Sequence, residues 1–237
     1  MNTKDSVVFV TGASRGLGLA FVHEALKRGA KKVYAGVRTP SDGDTPGIVQ
    51  IKLDVTSPAS IAAAATRCGD TTILVNNAGI GRITSSTLDS SIIEDAREVF
   101  ETNFYGTIRV TQAFAPILAG NGGGAVINVL SDAVWYARPF LAAYSASKSA
   151  EWSFTNALRI DLRQQRTLVL GLHVGFMDTD LTKGYDMKKM DPRTVAEAAL
   201  SGIETNKEEV LADDFTREVK QSFGKERSIY LDPPAIA

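Results

Sequence analysis

The chain carries a single cysteine, Cys68, and only two histidines, His23 and His173. One cysteine cannot close an internal disulfide, and two histidines cannot build a histidine-rich metal cage. Both facts point to a reducing, cytoplasmic-type compartment and to a site without metal. An excess of either charge is lacking too. The 26 Lys and Arg against 27 Asp and Glu leave a formal charge of −1, so no general attraction to nucleic acid or to an anionic membrane is expected. No apolar run reaches the length of a membrane span, and the apolar run after Ser6 is too short for a signal-peptide core. On these grounds a soluble protein is expected.

What is present fits one α/β domain. The 237 residues, 44% apolar and 22% charged, suffice for a proper core, and no repeat, linker or charge block divides them. A single domain over residues 1–237 is therefore expected. Strand-length β-branched runs at residues 7–10, 33–37, 48–55, 73–75, 125–130 and 168–174 alternate with helix-length segments at 17–28, 92–118 and 144–165. In the first helix Leu19, Val22 and Leu26 fall on one face. Ser57-Pro58 starts another helix with a capping serine and a proline at its first position. Residues 209–212 are a candidate seventh strand, and the Asp232-Pro233-Pro234 end reads as a frayed tail. Parallel neighbours need crossovers and helices supply them, so the alternation predicts a parallel sheet flanked by helices.

The segment Thr11-Gly12-Ala13-Ser14-Arg15-Gly16-Leu17-Gly18 follows the first strand and opens the first helix. Glycines there let the chain turn sharply and the backbone approach a pyrophosphate, toward which the helix N-terminus directs unpaired N–H groups. Its spacing, G-x-x-x-G-x-G, differs from the commonest dinucleotide fingerprint. Further along, Tyr144 and Lys148 lie four apart at a helix start and share one face. A tyrosine can protonate a carbonyl oxygen, and a lysine ammonium beside it favours the phenolate and lowers the phenol's pKa toward working pH. Ser131 ends the fifth strand, where its hydroxyl can hold a substrate carbonyl for Tyr144.

The glycine segment resembles the short-chain dehydrogenases/reductases. So do Asp54-Val55, Asn76-Asn77-Ala78-Gly79, Asn103, and Ser131 with Tyr144-Ser145-Ala146-Ser147-Lys148, in the same order over residues 11–148. The resemblance implies a doubly wound, Rossmann-type sheet with the cofactor across the carboxyl ends of its strands. It implies that Gly12, Ser14, Arg15, Gly16, Leu17 and Gly18 cradle the cofactor. Asp54 and Val55 would line its adenine, and Asn77, Ala78 and Gly79 would contact it or support the sheet beside it. Gly175 and Thr179, after the sixth strand, would meet the nicotinamide, although Val174 replaces the family's usual proline. It further implies a catalytic tetrad of Asn103, Ser131, Tyr144 and Lys148, in which Asn103 bends its helix and holds a water linked to Lys148, while Lys148 bonds the nicotinamide ribose. Packing of the Asn103 and Tyr144 helices against a twin subunit would make a homodimer or homotetramer.

The cofactor expected is NADP(H). An NAD enzyme places an acid at the end of strand two, whereas this chain has Val37-Arg38 there, and Arg15 and Arg38 suit a ribose 2′-phosphate. The reaction expected is reversible hydride transfer between NADPH and a ketone or aldehyde. A non-catalytic NADPH-sensing protein and an NAD-linked alcohol dehydrogenase are the alternatives. Trp135, Tyr136, Phe176 and Tyr185 are expected to wall the substrate pocket, with a lid over residues 176–192, and an apolar wall suits a hydrophobic substrate. Arg138 reads as a solvated rim residue or, failing that, as a recogniser of anions. His173 reads as a strand residue.

Overall fold

The computed structural model describes residues 1–41, 45–179, 189–231 and 233. Seven parallel strands form one sheet in the order β3-β2-β1-β4-β5-β6-β7. They are β1 (Val7–Thr11), β2 (Lys32–Val37), β3 (Ile48–Lys52), β4 (Ile73–Asn76), β5 (Gly124–Val129), β6 (Thr167–His173) and β7 (Glu209–Leu211). The order reverses beside β1, between β1 and β4, so a crevice opens at the carboxyl ends of those two strands. This is the doubly wound α/β fold that the alternation and the resemblance predict.

Strand β1 shows why both faces are covered. Its residues alternate, Val7 and Phe9 packing into one core while Val8 and Val10 pack into the other. On the Phe9 side lie α2 (Pro58–Arg67), α4 (Gly106–Gly120) and α5 (Ala142–Asp161), with the Phe9 and Phe114 rings 4.5 Å apart. On the other side lie α1 (Gly16–Lys27) and α6 (Pro192–Glu204). The buried face of α1 consists of Leu17, Ala20, Phe21 and Ala25 with Val22. This corrects the expected stripe, because Leu19 is exposed and Leu26 only half-buried.

The long helix expected over residues 92–118 is interrupted. α3 (Ile92–Phe100) passes into a π-helical turn at Glu101–Tyr105 before α4 begins. Two helices beyond the sequence reading also appear, α6 and α7 (Asp214–Gln221). Their caps carry a legible signal. Asp191 accepts from the Arg193 N–H with Pro192 at the first position, the same device as Ser57-Pro58, and Asp213 accepts from the Thr216 N–H. Among the described residues, no helix is long and apolar enough to cross a membrane.

Candidate active site

The glycine segment joins β1 to α1 at the crevice. Gly12 has φ +65°, and a Cβ on it would lie 2.9 Å from the Ala78 backbone. A Cβ on Gly18 would lie 2.2 Å from the Gly12 carbonyl oxygen, so only glycine lets α1 start this close to the strand end. At the N-terminus of α1 the Arg15 side chain makes no capping hydrogen bond, and no acid sits in the first turn. Leu17 is buried in the core, while Ser14 and Arg15 are exposed at the rim. Across the crevice, the Thr179 methyl lies 3.2 Å from where a Cβ on Gly16 would be. A backbone cradle at an acid-free helix N-terminus fits a dinucleotide pyrophosphate.

The Asn76–Gly79 segment braces this cradle. Asn77 Nδ2 donates to the Thr11 and Gly12 carbonyls at 2.9 and 3.2 Å, and Thr11 Oγ1 accepts from the Asn77 and Ala78 N–H groups. Asn76 donates to Thr111 and Asn128, linking β4 to α4 and β5. Gly79 lies against Asn103. At the ends of β2 and β3, Arg38 and Asp54 are both exposed, and Val55 packs on Gly106 at the start of α4. Asp54 accepts from the hydroxyl and the N–H of Thr56. Those bonds, then the Arg38 charge, hold its carboxyl below the usual range against some desolvation.

Asn103 sits in the π turn, fully buried. Its Oδ1 accepts from the Ile80 N–H at 2.8 Å, and its Nδ2 donates to the Ile80 carbonyl and to Ser147 Oγ. The side chain thus ties the loop after β4 to α5.

Ser131, just past β5, caps a short 3₁₀ turn, accepting from the Ala133 N–H and donating to Asp132 Oδ1 at 3.0 Å. Tyr144, in the first turn of α5, lines the same crevice as Ser131. Burial pushes its phenol above the usual tyrosine value. Lys148 and then the Ser131 hydroxyl pull it down, and Asp132 and Glu151 push it up. Lys148 therefore acts in the direction expected, but the sum runs the other way. One turn on, Lys148 Nζ donates to the Val129 carbonyl and to Glu151, each at 2.7 Å.

The crevice beside Ser131 and Tyr144 is lined by Ile83, Leu141, Phe176 and Met177, with Asp132 and Arg138 in its wall. Arg138 corrects the sequence reading. It is 5% exposed, donates to Asp132 Oδ2 at 2.6 Å, and lies over the Tyr136 and Phe176 rings. Trp135 and Tyr136, expected in the pocket wall, are held by aromatic contacts among the described residues. Trp135 stacks on His173, centroids 4.2 Å apart, and Tyr136 meets Phe215 edge-on. His173 lies in β6, its imidazole held neutral by burial with the pKa pushed down to about 3. The Gly175 N–H donates to Asp213, a restraint on the loop where Val174 stands in place of proline. Phe176 and Asp178 pair with Met190, joining the two ends of the expected lid. Tyr185 lies outside the described residues.

Residues 6–189 match the family model for short chain dehydrogenases. Among solved structures, the chain is similar to a short chain dehydrogenase from Burkholderia cenocepacia in complex with NADP, at 37% identity and TM-score 0.90 over 95% of each chain. A carbonyl reductase from chicken fatty liver with NADPH bound is 29% identical, with TM-score 0.75 over 83% of this chain and 86% of that one. A short chain dehydrogenase/reductase from Burkholderia phymatum in complex with NAD covers 100% of both chains at TM-score 0.82, but at 22% identity the likeness is one of fold.

Proposed function

Since the chain belongs to the short-chain dehydrogenase/reductase family of nicotinamide-dependent oxidoreductases, we propose that it transfers hydride between NADPH and a ketone or aldehyde. The observation that carries this reading is that Ser131 and Tyr144 line one crevice together with Thr179, whose methyl lies against Gly16 of the glycine cradle.

Gly12, Gly16 and Gly18 with the first turn of α1 would hold the pyrophosphate, and Asp54, Val55 and the Asn77–Gly79 segment would flank the adenine side. Arg38 follows β2, where the ribose-binding acid of an NAD enzyme would stand, and Arg15 opens α1. Two guanidiniums there favour a 2′-phosphate. Bound NADPH supplies the hydride. Ser131 orients the carbonyl oxygen, and Tyr144 gives it the phenolic proton. Lys148 would steady the phenolate left behind and would help hold the nicotinamide ribose. Asn103 fixes the loop and helix that frame them. Thr179 and Gly175 bound the crevice on the nicotinamide side.

The substrate would be a small molecule seated between Leu141, Phe176 and Met177, its polar end toward Arg138 and Asp132. The family resemblance extends the reading to a homodimer or homotetramer, and the single cysteine and two histidines extend it to a cytoplasmic-type compartment. The test is a panel of neutral ketones, keto acids and aldehydes with NADPH and NADH in parallel. The reading expects NADPH consumption with at least one carbonyl compound. Cofactor binding without turnover across the panel would favour a sensing role, and a clear preference for NADH would favour an NAD-linked dehydrogenase.

A further inference from the structure

Helix α5 carries a third ionisable side chain in line with Tyr144 and Lys148. Glu151 is 1% exposed, one turn beyond Lys148 and two beyond Tyr144. Its Oε2 accepts from Lys148 Nζ at 2.7 Å, and its Oε1 faces Thr107 Oγ1 on α4 at 3.5 Å. An ammonium has three donors. The Val129 carbonyl takes one and Glu151 another, which leaves one for a ribose hydroxyl. A carboxylate buried this deeply is tolerated only when paired, and a lysine so held cannot swing freely.

We propose that Glu151 is a positioning residue: it fixes the Lys148 ammonium as a buried counter-charge and limits how much of that positive charge acts on Tyr144. This rests on the roles of Tyr144 and Lys148 given above. The groups acting on Tyr144 are Lys148 and Glu151 on α5 and Ser131 and Asp132 after β5, with Asp132 itself paired to Arg138. Those acting on Glu151 are Lys148 and Thr107. Burial works against the charge on Lys148, but Glu151 and Tyr144 outweigh it and hold the ammonium above the usual lysine range. Burial likewise raises the Glu151 carboxyl, with Lys148 opposing. At the alkaline pH where a phenol ionises, the pair presents two opposite charges to Tyr144, and Glu151 is the one that resists ionisation.

The test is ultraviolet titration of tyrosinate in the full-length protein, without substrate. Wild type minus Tyr144→Phe isolates Tyr144 from the remaining tyrosines. The same difference is then taken in a Glu151→Gln background, which keeps the shape and removes the charge, and in a Glu151→Met background. The Tyr144 midpoint should fall by about half a pH unit or more in either folded variant, as loss of a nearby like charge requires. Glu151→Asp should restore it toward wild type. An unchanged midpoint in the folded variants overturns the proposal. So does failure of both Gln and Met variants to fold, which would make Glu151 purely structural. The titration needs no turnover, so it fails independently of the carbonyl panel.

Discussion

Gly18→Ala probes the cradle with a single methyl group. The added Cβ would stand 2.2 Å from the Gly12 carbonyl oxygen and 2.6 Å from Asn77 Nδ2, the amide that bonds that same carbonyl. A comfortable non-bonded contact is about 3.5 Å, so roughly 1 Å of separation is missing. The neighbours are backbone and a side chain held by two hydrogen bonds, so α1 must move outward or the Asn77 bonds must break. Overpacking of this kind costs about 1–3 kcal/mol. Alanine recovers about 1 kcal/mol over glycine in a helix, so folding should lose only ~0–2 kcal/mol. The cofactor should lose more in relative terms. Displacing the first turn of α1 moves the N–H groups meant for the pyrophosphate, and a loss of about 1.4–2.8 kcal/mol there is roughly a 10- to 100-fold rise in Kd for NADPH. Fluorescence titration with NADPH beside a thermal melt measures both. Gly120→Ala, at a position with nothing within 4 Å of the new methyl, is the control. If Gly18→Ala binds NADPH as tightly as wild type, the glycine segment is a connector and not a cradle.

Other outcomes follow from single contacts. Arg38→Asp should move preference toward NADH by removing a phosphate partner and adding a ribose-binding acid, read as the ratio of kcat/KM for the two cofactors; a wild type that already prefers NADH contradicts the reading of Arg38. Arg138→Ala strands a carboxylate, Asp132, that is 2% exposed, and should cost about 3–5 kcal/mol in urea unfolding. His173, with its folded pKa near 3 against an ordinary 6.5, binds its proton more readily in the unfolded chain. Stability should therefore fall as pH drops below 6.5, and the loss should continue toward pH 3. Replacing His173 by Phe, which keeps a ring against Trp135, should flatten that slope in urea midpoints taken between pH 7 and 4; an unchanged slope would place the acid sensitivity elsewhere.

The legible parts of this molecule are those governed by local pattern. β-branched runs and capping residues announce the strands and α2, because hydrophobic period and cap chemistry act within a few residues. The glycine segment and the Tyr144–Lys148 spacing are legible for the same reason. Contacts distant in sequence are not. Leu19, Val22 and Leu26 share a helix face, yet the sheet takes the neighbouring face built on Leu17, Phe21 and Ala25. Trp135 follows Ser131 closely but turns to His173 on β6, while Arg138 turns inward because Asp132 offers a buried partner. The π turn at Glu101–Tyr105 has one local sign, an asparagine inside a long helical pattern. Glu151 carries the clearest missed signal: a carboxylate three residues after Lys148, on the helix face that holds the site.

Whether Tyr144 is the group that protonates the carbonyl is tested most directly by Tyr144→Phe. The substitution removes the hydroxyl from the crevice that Ser131 also lines and leaves the ring. With the best carbonyl compound from the panel, kcat should fall by at least ~10²-fold while Kd for NADPH and the thermal midpoint stay close to wild type. Turnover within a few-fold of wild type, in a variant that binds NADPH normally, would show that another group delivers the proton and would contradict the central claim.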